Sequence, residues 1–252
     1  VLFMAPTQIL AQQHFDTLTK LLTPFGVNIG LMTSQTKISG DVIVGTQALL
    51  TRDFDCGLII IDEQHKFGVA QRALLQQKGG TPHVLTMTAT PIPRTMALVL
   101  HGDLDLSQLT EMPAGRKIVK TWVVPEEKRV SAIKWTNDQI IKYASQAFWV
   151  CSLIDESESL GAIRAVNTEF DLLKISFNGL ELGLLHGRMK ANEKDKVIQD
   201  FRNKKIDILV STPVVEVGID IPDASIMVIE DAYRFGLAAL HQLRGRVGRN
   251  GQ

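Results

Sequence analysis

Gly57-Leu-Ile-Ile-Ile-Asp62-Glu63-Gln64-His65 is an apolar run that stops abruptly at two carboxylates, an amide and an imidazole. Read as a strand, it ends where ligands sit in an open parallel sheet, outside the carboxyl ends of the strands. Asp62 and Glu63 fall at that place. Hard Mg²⁺ takes carboxylate oxygen and keeps several waters, so one acid can hold the metal while its neighbour orients an attacking water. The same pair would equally open a surface loop as solvated acids, because so short a pattern is easily matched by chance.

Outward from this stretch, short apolar runs alternate with longer amphipathic ones, the pattern of parallel strands joined by crossover helices, so the fold class is α/β. Residues 1–4, 27–31, 42–44, 58–61 and 84–87 read as strands. The span 8–22 is the clearest helix, with Ile9, Phe15, Leu18, Leu21 and Leu22 at helical spacing on one face. Turn formers and charge over 110–120 place an inter-domain linker at 113–121, between a first lobe at 1–112 and a second at 122–252. The second lobe has strands at 147–150, 182–185, 208–211 and 226–229 and helices near 128–145, 160–170 and 192–203. Both halves share one βα grammar, although no sequence repeat between them is visible.

The chain has 252 residues, 27 Lys+Arg against 27 Asp+Glu, and 45% hydrophobic residues. That is material for one or two domains with real cores, and it excludes disorder. No apolar run approaches the ~20 residues that span a bilayer, so no membrane role is expected. Cys56 and Cys151 lie far apart, supporting neither a disulfide framework nor a thiolate zinc site, and a reducing, cytoplasmic setting is the simplest expectation. Zero net charge excludes a globally basic nucleic-acid coat but leaves room for a local basic face. The chain opens inside an apolar strand and reads as a piece of something longer.

Two further stretches carry chemistry. In Leu85-Thr-Met-Thr88-Ala-Thr90-Pro-Ile-Pro-Arg94-Thr95, hydroxyls follow a strand; Thr90 and Pro91 would also serve as a plain helix start. In Gln242-Leu-Arg-Gly245-Arg246-Val-Gly248-Arg249, the arginines at 246 and 249 would share a helix face and converge on one anion. Guanidinium is permanently charged and forked, which suits phosphate oxygens. A solvated arginine face is the bland alternative, but the glycines weaken a helix by up to ~1 kcal/mol each, a cost natural where backbone must approach closely.

Together these stretches resemble superfamily-2 helicase motifs and, more narrowly, the RecG family of branched-DNA helicases. Met4-Ala-Pro6-Thr7-Gln-Ile-Leu-Ala-Gln-Gln-His14, Val44-Gly-Thr46-Gln47-Ala-Leu-Leu50, Phe148-Trp-Val-Cys151, Leu185-His186-Gly187-Arg188 and Ile229-Glu230-Asp-Ala-Tyr-Arg-Phe-Gly236 extend the likeness nearly end to end. The resemblance implies two RecA-like lobes of parallel sheets flanked by helices, the first incomplete at its N-terminus. It implies ATP and Mg²⁺ as cofactors: Asp62 coordinates the metal, Glu63 orients or activates water, and Gln64 and His65 relay the γ-phosphate state. Thr88 and Thr90 would couple that state to lobe movement, Gly218 and Asp220 would border the nucleotide, and Gln242, Arg246 and Arg249 would reach it from the second lobe. Pro6, Thr7, Thr46, Gln47, His186, Gly187 and Thr212 would touch branched or duplex DNA through its phosphates, without reading sequence. A monomeric motor for replication-fork regression and Holliday-junction processing is the implied whole.

Departures bear on this. No G-x-x-x-x-G-K-[ST] loop occurs in these residues, and that loop cradles the β/γ-phosphates. This stretch alone is therefore expected to hydrolyse ATP poorly or not at all. Gln8 and Lys66 stand where the family leads one to expect Glu and Arg. The alternatives are the motor of a transcription–repair coupling factor, against which Gln64 speaks, and a non-hydrolysing DNA-binding scaffold.

Overall fold

The computed structural model describes residues 1–34, 36–68, 70–71, 81–88, 105–111, 118–152, 160–213, 221 and 223–248. The chain divides into two units, Val1–Gln108 and Leu109–Gln252. Each is built on a wholly parallel sheet, as the alternation of short apolar and longer amphipathic runs requires.

In the first unit the elements run β1 (Leu2–Met4), α1 (Gln8–Leu22), β2 (Ile29–Met32), β3 (Val42–Gly45), β4 (Leu58–Asp62) and β5 (His83–Met87). Spatial order is β2-β3-β1-β4-β5. Successive side chains of a strand face opposite ways, and the two faces acquire separate cores. Leu2, Met4, Ile43, Ile59 and Ile61 meet Leu49, Cys56 and Phe67 on one side. Phe3, Leu31, Val44 and Ile60 meet Ala11, Phe15, Leu18 and Leu22 of α1 on the other. The helix begins because the Thr7 side chain accepts from Leu10 N–H at 3.3 Å, a cap worth about 1 kcal/mol.

In the second unit the order is α2 (Arg129–Tyr143), β6 (Gln146–Val150), α3 (Leu160–Ser176), β7 (Leu182–Leu185), α4 (Ala191–Arg202), β8 (Ile208–Ser211), β9 (Ala224–Ile229) and α5 (Leu237–Arg244). The sheet order is β7-β8-β6-β9. Ala147, Trp149 and Cys151 pack with Ile133, Ile140, Leu173 and Phe177 of α2 and α3 and the residue following α3. On the opposite face the Phe148 ring sits edge-on to Phe201 of α4, centroids 5.3 Å apart. The stretch before α2 is held at two points. Arg244 at the end of α5 donates to the Val119 carbonyl at 2.9 Å, and the rings of Trp122 and Trp135 meet edge to face at 6.1 Å.

The structure also relates two segments that the sequence reading left unconnected. Residues 59–68, IIIDEQHKFG, and 227–236, MVIEDAYRFG, fold alike. Each is a strand end, an acid, a second acid in the left-handed region, one turn of 3₁₀ helix and a Phe-Gly. Side-chain identities differ enough to hide the repeat; only the order of apolar, acidic and Phe-Gly positions is kept. Among the described residues, no helix is long and apolar enough to cross a membrane.

Candidate functional site

Parallel registry brings the first lobe's candidate residues to one edge. Met4 of β1 is level with Gly45 of β3 and Ile61 of β4, and Asp62 is level with Met87 of β5. Thr7, Thr46, Asp62 and Thr88 therefore leave the same carboxyl edge of the sheet. Gly45 is required there: a Cβ would lie 2.4 Å from the Met32 carbonyl oxygen and 2.9 Å from Leu49 Cγ. Thr46 N–H donates to that same carbonyl at 3.1 Å, which starts a 3₁₀ turn at exposed Gln47. Pro6 and Thr7 are half-buried at the entry to α1.

The acid pair is built by an abrupt reversal. Asp62 ends β4, and Glu63 then adopts φ 48°, ψ 56°. A left-handed residue with a Cβ costs about 1–2 kcal/mol, and such strain concentrates where geometry is functional. Lys66 N–H donates to the Glu63 carbonyl at 2.9 Å and Phe67 N–H to that of Gln64 at 3.1 Å, closing the turn. Gln64 and Phe67 are buried beneath it. The Thr88 hydroxyl, just past β5, donates to Glu63 Oε2 at 3.3 Å. Asp62 Oδ2 lies 2.9 Å from His14 Nε2. A carboxylate only accepts, so Nε2 carries the hydrogen. No motif chemistry in the sequence assigns His14 a role; its place seven residues past Thr7 on a helix lying against β4's sheet is the available signal.

These acids fit Mg²⁺ rather than zinc. No group of three or more potential His, Cys, Asp or Glu ligands occurs among the described residues. Mg²⁺ is held by one or two carboxylates with substrate phosphates and water completing the shell. Asp62, partly exposed and with one oxygen engaged by His14, matches that requirement.

The second lobe has a corresponding edge. His186 and Gly187 follow β7, Thr212 follows β8, and Glu230 and Asp231 follow β9. The Gly187 carbonyl accepts from the Lys194 ammonium of α4. Thr212 is buried, with N–H donating to the Leu185 carbonyl at 3.2 Å. Its Oγ1 has no hydrogen-bond partner among the described residues. Arg129 donates through Nε and Nη2 to Glu230 Oε1 at 3.2 and 3.0 Å, and through Nη2 to Glu169. Burial draws the Arg129 pKa down, but the carboxylates of Glu230 and Glu169 outweigh it and hold the guanidinium above its ordinary value. The Ser152 hydroxyl donates to Asp231 Oδ2 at 2.9 Å. Between them Cys151 has its thiol pushed up to about 12, chiefly by burial and then by Glu169 and Glu230.

The arginine tail differs from expectation. α5 ends at Arg244, Gly245 closes it, and Gly248 has φ 70°. Arg246, half-buried, thus lies beyond the helix rather than on it. The glycines that made close backbone approach natural also terminate the helix. Gln242 is buried on α5. Thr90, Gly218, Asp220 and Arg249 lie outside the described residues, as does the His65 side chain.

Comparison with known proteins agrees with the likeness in the motifs. Residues 1–99 match the model of the DEAD/DEAH box helicase and residues 138–251 that of the helicase conserved C-terminal domain. The chain is 45% identical to the ATP-dependent DNA helicase RecG of Haemophilus influenzae and 44% identical to that of Escherichia coli, with 99% of the chain covered in each case. It spans 39% of the length of each of these relatives. A solved structure of RecG bound to a three-way DNA junction superposes with a TM-score of 0.74 at 41% identity, covering 99% of this chain and 34% of that one. Saccharomyces cerevisiae Dbp5 bound to RNA and ADP BeF3 shares the fold, with a TM-score of 0.70 at 20% identity, over 100% of this chain and 68% of that one. The chain belongs to the RecG family of superfamily 2 helicases.

Proposed function

We propose that this chain is the motor portion of an ATP-dependent DNA helicase that acts on branched DNA, as in fork regression and Holliday-junction processing. The observation that carries the reading is the carboxyl edge of the first sheet. There the acid pair, its hydroxyl partner Thr88, and Pro6, Thr7, Thr46 and Gln47 leave neighbouring parallel strands together. Asp62 would hold Mg²⁺, which when bound neutralises phosphate charge. Glu63 would orient the attacking water, its carboxylate kept in place by the left-handed turn and by Thr88. Gln64 and His65 would relay the phosphate state, with Thr88 and Thr90 passing it on. Gly218, Asp220, Gln242, Arg246 and Arg249 are the second lobe's candidates for the triphosphate.

Thr7, Thr46, Gln47, His186, Gly187 and Thr212 would grip DNA through its phosphates, a contact that carries no sequence information. The protein would work as a monomer on the bacterial nucleoid. Neither a transcription–repair coupling motor nor a non-hydrolysing scaffold is favoured by relatives 44–46% identical that are named as RecG. The deciding experiment measures ATP hydrolysis by the native protein on forked and on linear duplexes. Faster turnover on forks is expected; equal turnover on both would remove branch specificity, and none on either would leave the scaffold reading.

A further inference from the structure

We propose that His14 is a positioning residue that holds Asp62 in the orientation needed to bind the nucleotide's divalent cation; this rests on the reading of Asp62 as the metal-binding acid. The imidazole is gripped on two sides. Its ring lies against Phe3 of β1, centroids 4.5 Å apart and planes tilted 39°. Its Nε2–H donates to Asp62 Oδ2 at 2.9 Å. The two side chains are only 28% and 17% exposed, so the bond is shielded from competing water. Phe3 is level with Ile60 in the β1–β4 ladder, two residues before Asp62, so the ring platform and the carboxylate belong to one rigid piece of sheet.

An aspartate has one rotatable carboxyl group and two equivalent oxygens. A donor fixed on Oδ2 removes that rotation and leaves Oδ1, which has no side-chain partner among the described residues, for the cation. Groups that hold a metal-binding carboxylate in this way set its affinity, and their loss typically weakens binding about 10–100-fold. His14 also stands on α1, which Pro6 and the capping Thr7 lead into, so the proposed metal-binding acid is tied to the same helix as the proposed DNA-backbone contacts. Neither the acid pair nor a DNA contact requires a histidine at this place; the geometry supplies the reason for it.

The test uses the native protein with duplex DNA, a non-hydrolysable ATP analogue and Mn²⁺, whose free and bound forms are separated by paramagnetic resonance. The variants are His14→Ala, His14→Phe, His14→Gln and Asp62→Asn. His14→Ala and His14→Phe should weaken Mn²⁺ binding about tenfold and raise the Mg²⁺ needed for half-maximal ATP turnover by a similar factor. His14→Phe keeps a ring against Phe3 but has no donor, so a loss in both variants separates the hydrogen bond from packing. Glutamine places an amide N–H near the former Nε2 and should recover most of the affinity. Normal Mn²⁺ binding in His14→Phe, or failure of His14→Gln to recover it, overturns the proposal while Asp62→Asn still lacks metal. Normal Mn²⁺ binding in Asp62→Asn overturns instead the role assigned to Asp62, and the inference falls with it.

Discussion

The turn after β4 and the turn after β9 are the same backbone object carrying different chemistry. Glu63 at φ 48°, ψ 56° corresponds to Asp231 at φ 50°, ψ 44°. Each accepts from a hydroxyl that follows the neighbouring strand, Thr88 in one lobe and Ser152 in the other. Each preceding acid has a basic partner. Asp62 has a single imidazole N–H, whereas Glu230 receives two guanidinium bonds from an arginine that also binds Glu169. A lightly engaged carboxylate retains capacity for a cation, while one locked to a permanent charge serves as a brace. The same fold device therefore leaves a carboxylate lightly engaged at the edge of the first lobe and builds a braced knot in the second.

The sharpest way to break this comparison is to alter the matched left-handed acids. Glu63→Gln should lower DNA-stimulated ATP turnover at least about 100-fold with nucleotide binding retained, whereas Asp231→Asn should leave turnover unchanged. Similar losses in both would erase the distinction. Next in size, Arg129→Met should destabilise the second lobe by about 1–2 kcal/mol, seen as earlier thermal unfolding. Removing one member of a buried charge cluster costs more than this, but the Arg129 side chain is 37% exposed and water screens the remaining acids. The metal requirement of ATP turnover should not move.

Cys151 sharpens the contrast through pH. Its folded value near 12 exceeds the ordinary 9.0, so the unfolded chain gives up this proton first. The stability it contributes is complete below pH 9 and is lost as pH rises through that window toward 12. Cys151→Ala should flatten this part of the unfolding curve against pH; an unaltered slope would assign it to other groups. The smallest effect is expected from Asp231→Gly. Relief of the left-handed backbone and loss of the Ser152 bond oppose each other, leaving a net change under about 1 kcal/mol in denaturant unfolding.

Much of this organisation was open to reading along the chain. Helix α1 was expected over 8–22 and is found there, with the Thr7 cap at its start and Phe15, Leu18 and Leu22 against the sheet, but Leu21, expected on that same face, is 59% exposed. The nine strands expected are found among the described residues within a few positions, because parallel strands leave compact apolar runs, even at the more exposed β5. Asp62 and Glu63 were legible as a pair, since a strand that ends in acids is a local pattern. His14 and Arg129 were not. Each meets its acid across a long sequence separation, and nothing local marks a helical residue as facing a particular strand end. For Arg246 local spacing favoured a helical position, whereas α5 ends at Arg244 and the backbone turns left-handed at Gly248.

The bond from Arg244 to the Val119 carbonyl has a mechanical side. It ties the stretch preceding α2 to the last residue of α5, two positions from both Gln242 and Arg246. Tension along that stretch would load this one guanidinium early, at a joint beside the residues proposed to feel the triphosphate. The stretch before α2 thus has a defined anchor at the end of α5.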